Sequence, residues 1–248
     1  MFNALGETSL ILYLLILLVA CLYSSVGHGG ASGYLALMSF FTIPIASMKP
    51  VALILNIVVS IIAFVQFYRS GFFDKKIFLL LAVTSVPFAY AGGLIVLDAV
   101  YYKQLLGVFL FFAAARLAIP TEKEVLVSET PHTAWLLLIG AGIGFLSGML
   151  GIGGGIILSP ILILLGYADI RKTAGISALF IFVNSIAGLL GYVQQGIHFT
   201  ASMAAMVILA MVGGLIGSFY GAKKFNIPVM KRVLAVVLIL AAMKLVFV

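Results

Sequence analysis

Long apolar segments, separated by short polar stretches, account for most of the chain. About ten are present, at 9–26, 31–46, 50–69, 75–98, 103–119, 133–150, 155–167, 173–193, 200–222 and 229–248. Most approach the roughly 20 residues that a helix needs to cross a bilayer. Their hydrophobicity does not alternate along the chain, as it would in the strands of a membrane β-barrel. The pattern therefore predicts an all-α polytopic membrane protein, with about five segments in each half.

Two glycine-rich stretches interrupt this pattern at matched positions. The first contains Gly27, Gly29 and Gly30, and the second contains Gly151, Gly153 and Gly154, each 124 residues later (151 − 27 = 124). Glycine weakens a helix and frees backbone polar groups, which a membrane protein must satisfy internally. We therefore predict that both stretches line a functional centre near the membrane midplane. The segments that follow, 31–46 and 155–167, are short for a full crossing and are expected to be half-helices or re-entrant segments.

A polar stretch at 120–132 divides the chain into two hydrophobic repeats, 1–119 and 133–248. Basic residues indicate the orientation of these repeats, because basic loops of membrane proteins face the cytoplasm. In the second repeat, Arg171 and Lys172 precede a helix, and the loop 194–200 that follows it has no basic residue.

The first repeat shows the reverse pattern. Its central loop holds Arg69, Lys75 and Lys76, and its flanking loops hold only Lys49 and Lys103. Equivalent loops would then lie on opposite sides of the membrane. This predicts an inverted-topology repeat, with the linker inside and both termini outside.

The composition excludes several other classes of protein. The 248 residues are 64% hydrophobic and only 8% charged, whereas a soluble domain carries about a quarter charged residues. The net charge of +7 lies almost wholly in predicted loops, so it indicates membrane orientation and not a nucleic-acid surface. A single cysteine, Cys21, allows neither an internal disulfide nor a cysteine-rich metal site. No metal or organic cofactor is expected.

The breaks favour the binding of an anion. A half-helix that starts at a glycine break directs free N–H groups and the positive end of its dipole into the membrane. Two such ends from opposite repeats would bind an anion without a buried lysine or arginine. A cation site would normally include a carboxylate, but Asp74, Asp98 and Asp169 lie at segment ends. His28 is the one ionisable residue at the breaks that can change its charge near neutral pH, so it is a candidate proton partner.

Four side chains are expected to add contacts to the backbone of the six break glycines: His28, Ser32, Ser177 and Asn184. Ser177 and Asn184 lie on one face of the same predicted helix. Two alternatives stay open at this point. Glycines in membrane helices also allow close helix packing, and a histidine between helices also makes purely structural hydrogen bonds.

Several motifs of the second repeat carry a family resemblance. Residues Gly148 to Gly155 read Gly-Met-Leu-Gly-Ile-Gly-Gly-Gly, followed by Pro160 and by Thr-Ala-Gly-Ile-Ser-Ala-Leu-Phe at 173–180. Together with the duplicated hydrophobic unit, they resemble the sulfite exporter TauE/SafE family, also called the toluene-sulfonate uptake permease family, over about residues 11–246. The resemblance implies a bacterial or archaeal-type plasma-membrane carrier for sulfur-containing anions, namely sulfite, sulfonates, sulfoacetate or related organosulfur compounds. The first repeat departs from the pattern, since His28 matches Ile152 and Ala31 matches Gly155.

These observations together predict a secondary transporter that moves small sulfur-containing anions by alternating access. A passive anion channel is one alternative. An intramembrane serine protease is another, because Gly30-Ala31-Ser32-Gly33 matches the Gly-x-Ser-Gly pattern of rhomboid proteases. Such an enzyme needs a histidine base within reach of Ser32. The candidates are His28, His132 and His198, and the second repeat has Ile156 at the position of Ser32.

Overall fold

The structure is a computed structural model that describes residues 2–118, 132–194, 196, 201–221, 238–239 and 242–243. Within these ranges the fold is helical, and no strand is present. The helices are α1 (Phe2–Ser24), α2 (Ala31–Phe40), α3 (Ile45–Arg69), α4 (Lys75–Leu94), α5 (Ala99–Ala118), α6 (Thr133–Leu150), α7 (Gly155–Leu164), α8 (Ile170–Val193) and α9 (Ala201–Gly221). Nearly all of the predicted linker 120–132 and most of the predicted segment 229–248 lie outside the described residues. The predicted all-α class is confirmed for the described part of the chain.

Five helices are long and apolar enough to cross a membrane, namely α3, α4, α6, α8 and α9. Shorter apolar stretches include Leu10–Ser24 of α1 and Ala99–Ala115 of α5. Large apolar side chains such as Val83, Val108 and Leu138 are exposed on the outside of the bundle. Apolar surface of this extent is stable in contact with lipid and not with water. The chain is therefore a multi-pass membrane protein.

The helices that follow the two glycine breaks are the shortest of the described part. α2 and α7 each contain 10 residues. At a rise of 1.5 Å per residue such a helix is about 15 Å long, roughly half the thickness of the hydrocarbon core. Each is too short to cross the membrane alone, and both end earlier than the predicted segments 31–46 and 155–167. Their assignment as half-helices or re-entrant segments stays a prediction.

α3 begins at Ile45, earlier than the predicted start at residue 50. Proline lacks an N–H group, so Pro50 cannot bond the carbonyl four residues before it. That carbonyl belongs to Ala46, and it accepts a hydrogen bond from the Tyr192 hydroxyl at 2.8 Å. The helix therefore continues through the proline. The expectation that Lys49 and Lys103 lie in loops is wrong, since Lys49 is buried in α3 and Lys103 lies in α5.

The two halves of the chain interlock through their fourth helices. α4 packs against α6 and α8, and α9 packs against α1 and α3. Glycines permit this close approach, because a methyl group added at Gly144 would meet the backbone of Ser85, and one at Gly148 would meet the backbone of Ala89. α4 of the first half is thereby held by the second half, and α9 of the second half is held by the first.

Candidate functional site

The first glycine break joins the end of α1 to the start of α2. Gly27 and Gly30 have φ angles of 77° and 96°, in the left-handed region that side chains rarely adopt. Gly30 is the residue from which α2 starts. The chain therefore needs glycine at both positions to leave one helix and enter the next.

The second break has the same construction between α6 and α7. Gly151, Gly153 and Gly154 have φ angles of 78°, 74° and 79°. Gly151 is the C-cap residue after α6, and Gly154 is the N-cap residue before α7. Gly153 is left-handed although Gly29, its counterpart in the first break, is not. The two breaks are thus alike at their ends and differ in the middle.

Asn56 of α3 connects the two breaks. Its side chain is fully buried, and its Oδ1 accepts a hydrogen bond from the Ala31 N–H at 3.0 Å. Oδ1 is also the atom that a methyl group at Gly29 would meet, and Nδ2 is the atom that a methyl group at Gly153 would meet. Ile181 of α8 lies against the same two glycines. The breaks therefore adjoin in space, as predicted.

The point where the two breaks meet is named the junction. Near it lie polar side-chain atoms that make no hydrogen bond to the described residues. The four atoms are buried and have no hydrogen-bond partner among the described residues: Tyr34 Oη, Asn56 Nδ2, Ser147 Oγ and Ser185 Oγ. Tyr34 Oη lies 2.8 Å, and Ser185 Oγ 3.3 Å, from the positions that a Cβ would take on Gly30 and Gly153. Buried polar atoms are rarely unpaired, so a cluster of them indicates a missing partner. Each of these four groups can donate a hydrogen bond.

Backbone N–H groups add to this supply of donors. The amides of Gly29, Gly30, Gly153 and Gly154 are buried, and within the described ranges they donate to no acceptor. Buried backbone N–H groups without a partner are uncommon in folded proteins. The junction therefore presents several hydrogen-bond donors that have no acceptor among the described residues, which suits a bound anion.

His28 starts a chain of hydrogen bonds from the first break to α7 and α8. Its Nδ1 lies 3.0 Å from the Val26 carbonyl oxygen, and its Nε2 lies 3.2 Å from Ser159 Oγ. Ser159 Oγ lies 2.9 Å from both Ser177 Oγ and the Gly155 carbonyl oxygen. His28 and Ser177, which the sequence predicted separately, are thus joined through Ser159.

The protonation state of His28 decides the direction of these bonds. A carbonyl oxygen only accepts, so Nδ1 must carry the hydrogen that points to Val26. In the neutral ring Nε2 then accepts from the Ser159 hydroxyl. In the charged ring Nε2 donates to Ser159, whose own hydrogen turns to Gly155 or Ser177. The protonation state of His28 therefore determines which acceptor the Ser159 hydroxyl of α7 donates to.

The other two predicted side chains are differently placed. Ser32 Oγ lies 2.8 Å from the Tyr23 hydroxyl, so its partner is a tyrosine of α1 and not a histidine. This geometry lacks the base that a serine protease requires. Asn184 donates its amide to the Phe180 carbonyl at 2.8 Å, and its buried Oδ1 has no partner in the described part of the chain. The assignment of the predicted residues to substrate contact stays a prediction.

Three aspartates, Asp74, Asp98 and Asp169, lie at helix starts and cap them. Asp74 accepts from Lys76 N and Ile77 N, and Asp169 accepts from Lys172 N. Such bonds cap the first turn of a helix. Asp98 accepts from Val100 N in the same way at the start of α5. The sequence correctly placed these carboxylates at segment ends.

Sequence reasoning missed several polar residues of the site. Tyr34, Ser147 and Ser185 were not singled out, because isolated polar residues in apolar segments usually tie helices together. Ser159 was missed for the same reason, although it lies one turn after Gly155 in the half-helix. Their closeness to the breaks in the folded structure identifies them.

The fold and the site together are those of a membrane transport protein: a multi-pass helical bundle with two broken segments meeting at buried donors. The family model described as sulfite exporter TauE/SafE matches residues 12–245. The chain belongs to the TauE/SafE family and is a membrane transporter, not an enzyme.

Two relatives support this membership. The chain is 32% identical over 231 residues to the probable membrane transporter protein y4hK of Sinorhizobium fredii, covering 92% of this chain and 94% of the relative. It is 31% identical over 200 residues to the probable membrane transporter protein MJ0441 of Methanocaldococcus jannaschii, covering 75% of this chain and 74% of the relative. No solved structure matches the chain significantly.

Proposed function

We propose that this chain is a secondary carrier that moves sulfite or a related small sulfur-containing anion across the membrane by alternating access. The anion binds at the junction of the two breaks, between the first turns of α2 and α7. The break glycines supply backbone donors, and His28 is the proton partner. The family description names sulfite export, and the site chemistry fits an oxyanion of that kind.

One observation carries this proposal. Breaks from the two halves of the chain meet at a single buried side chain, Asn56, whose Oδ1 already caps α2 at Ala31. Its Nδ2 faces Gly153 and has no partner in the described ranges. An oxyanion at this point would accept from Nδ2 and from the free amides of both breaks. Its charge would also be stabilised by the positive ends of two helix dipoles.

The relative direction of α3 and α8 supports an inverted repeat. The start of α3 lies against the end of α8, where Tyr192 donates to Ala46. The far ends also meet, since the Arg171 guanidinium lies 5.1 Å from the centre of the Phe72 ring. These two helices occupy equivalent places in the two halves and run in opposite directions. An inverted-topology repeat predicts this arrangement.

The topology can be tested by cysteine labelling in a Cys21→Ser background. We expect a membrane-impermeant maleimide to label Ser70→Cys only from the cytoplasmic side and Gln194→Cys only from the external side. Both positions are exposed, and they lie at opposite ends of the bundle. Labelling of both cysteines from one side would contradict the inverted repeat.

Transport itself is tested with purified protein in proteoliposomes. We expect saturable sulfite uptake that is accelerated by unlabelled sulfite on the opposite side, because a carrier exchanges its bound substrate. Protein-free liposomes and an alkanesulfonate competitor provide the controls.

Uptake without saturation or exchange would favour a channel and overturn the alternating-access proposal. Failure of sulfite and alkanesulfonates to bind the folded protein would overturn the substrate class.

A further inference from the structure

Lys49 is a buried cation that the central junction does not use. The residue is only 4% exposed, so its ammonium group lies inside the protein and not on the outer surface, where lysines near helix ends usually place theirs. Nζ donates to the Gly93 carbonyl at 3.4 Å and lies 5.0 Å from the centre of the Tyr192 ring. Within the described part of the chain, no carboxylate pairs with it.

Among the described residues, the charge of Lys49 has no counter-ion. A buried charge is costly unless it is paired and hydrogen-bonded. An ammonium group has three N–H donors, and one long bond to Gly93 uses only one of them. The side chain therefore requires a further acceptor, and a negatively charged one compensates for its burial best.

A cavity of about 240 Å³ lies beside this ammonium group. It is lined by Ala46, Lys49, Ile95, Val96, Leu97, Ala99, Tyr102, Met149 and Tyr192. Ala46, Val96 and Ala99 are exposed, so they form its rim. The space is sufficient for a small anion together with several water molecules.

Two tyrosines, Tyr102 and Tyr192, line the cavity, but its positive charge comes from Lys49. The Tyr102 hydroxyl donates to the Leu150 carbonyl at 3.0 Å, and the Tyr192 hydroxyl donates to the Ala46 carbonyl at 2.8 Å. Both hydroxyl hydrogens are thus used within the protein. Lys49 is the one lysine among the lining residues, which include no arginine.

The inner end of the cavity borders the second glycine break. A Cβ added at Gly151 would lie 3.0 Å from Lys49 Cγ, so the lysine stem packs against this glycine. Leu150, which accepts the Tyr102 bond, is the residue immediately before it. Met149 of α6 lines the cavity, which therefore extends from an exposed rim to the last turn of α6.

We infer that this cavity, named the Lys49 vestibule, is a second anion site that binds a small sulfur oxyanion or sulfonate before it reaches the junction. Its role as an entrance rests on the proposed function, whereas anion binding at Lys49 does not. The ammonium group supplies the charge, the exposed rim admits the anion, and the lysine stem packs against Gly151 of the second break.

The number of bound anions tests this assignment. Sulfite is titrated into the purified protein by calorimetry in chloride-free buffer at constant ionic strength. We expect two anions per wild-type chain, one for Lys49→Met, one for Gly153→Val and none for the double variant. Lys49→Arg keeps the charge and should keep two.

Matched variants separate binding from general charge loss and from misfolding. Lys103→Met removes a positive charge from α5 outside the cavity lining and should keep two anions. Ala99→Trp fills the rim without changing Lys49, and it should bind one anion. This variant decides the question if Lys49→Met fails the size-exclusion and thermal-unfolding checks.

An anion count equal to that of the wild type in folded Lys49→Met, or in folded Ala99→Trp, would overturn the Lys49 vestibule. Failure of the central site has a different signature. In that case Gly153→Val would bind as many anions as the wild type, while Lys49→Met would still bind one fewer.

Discussion

Replacing Gly153 with valine is expected to weaken sulfite binding by at least about 100-fold, equivalent to about 2.8 kcal/mol. The residue has a φ of 74°, and left-handed backbone costs an ordinary residue roughly 1–2 kcal/mol, with a further penalty for β-branching. The new side chain would also displace Asn56 and Ile181. Both effects act on the geometry of the donors and not on any charge.

Gly29→Val should weaken binding comparably, but for a different reason. Gly29 does not have a left-handed φ, so its backbone tolerates a side chain. Valine there would collide with Asn56 Oδ1, which caps α2, and with Ile181. The loss in this variant therefore reports steric closure of the junction alone.

Two glycines outside the site serve as matched controls. Gly142→Val adds a side chain in α6 where no atom lies within 4 Å of its Cβ position. Gly71→Val adds one at a φ of 78°, again with open space around it. Both should bind sulfite with wild-type affinity, measured by calorimetry on protein that passes thermal-unfolding checks. Wild-type affinity in folded Gly29→Val and Gly153→Val would remove the anion site from the breaks.

His28→Gln is expected to abolish the pH dependence of anion binding between about pH 5.5 and 8.5, a range that brackets the ordinary histidine pKa of about 6.5. Protonation of His28 adds a positive charge beside the site, so wild-type affinity should rise as the pH falls. We expect an increase of about tenfold across this range, or about 1.4 kcal/mol. Glutamine keeps a hydrogen-bonding group at the position but takes up no proton. The variant should therefore bind at every pH as the wild type does at alkaline pH.

An alkanesulfonate is the suitable ligand for this measurement, because its charge is constant over the range. Ser159→Ala removes the hydroxyl that bonds Nε2 but leaves the imidazole, so it should retain a pH dependence. His132→Gln removes an exposed histidine and should behave as the wild type. If His28→Gln keeps the wild-type pH profile, His28 is a structural residue and proton coupling through it is excluded.

The positions of the helices followed from the sequence because burial in lipid requires uniformly apolar segments. The breaks followed for the same reason, since glycine frees backbone groups that lipid cannot satisfy. The start of α3 did not follow, because Pro50 usually marks a helix boundary. Only Tyr192, far away in the sequence, compensates the carbonyl that this proline leaves unpaired.

The side chains of the candidate site were harder to predict from the sequence. Lys49 was interpreted as a loop charge, because its burial depends on the packing of α8 and on the true start of α3. Tyr34 and Ser185 carry no local signal, and only the tertiary packing brings them to one point. His28 was recognisable because an ionisable residue at a break is rare in an apolar chain.

The interlocked α4 has a consequence for synthesis of the protein at the ribosome. The glycine contacts of this helix are made by α6, which begins at Thr133, after the whole first half has entered the membrane. Until then, the face of α4 that bears Ser85 and Ala89 has only lipid beside it. The first half therefore stays inserted but incompletely assembled while the second half is synthesised. The helix bundle assembles only after the second half has inserted.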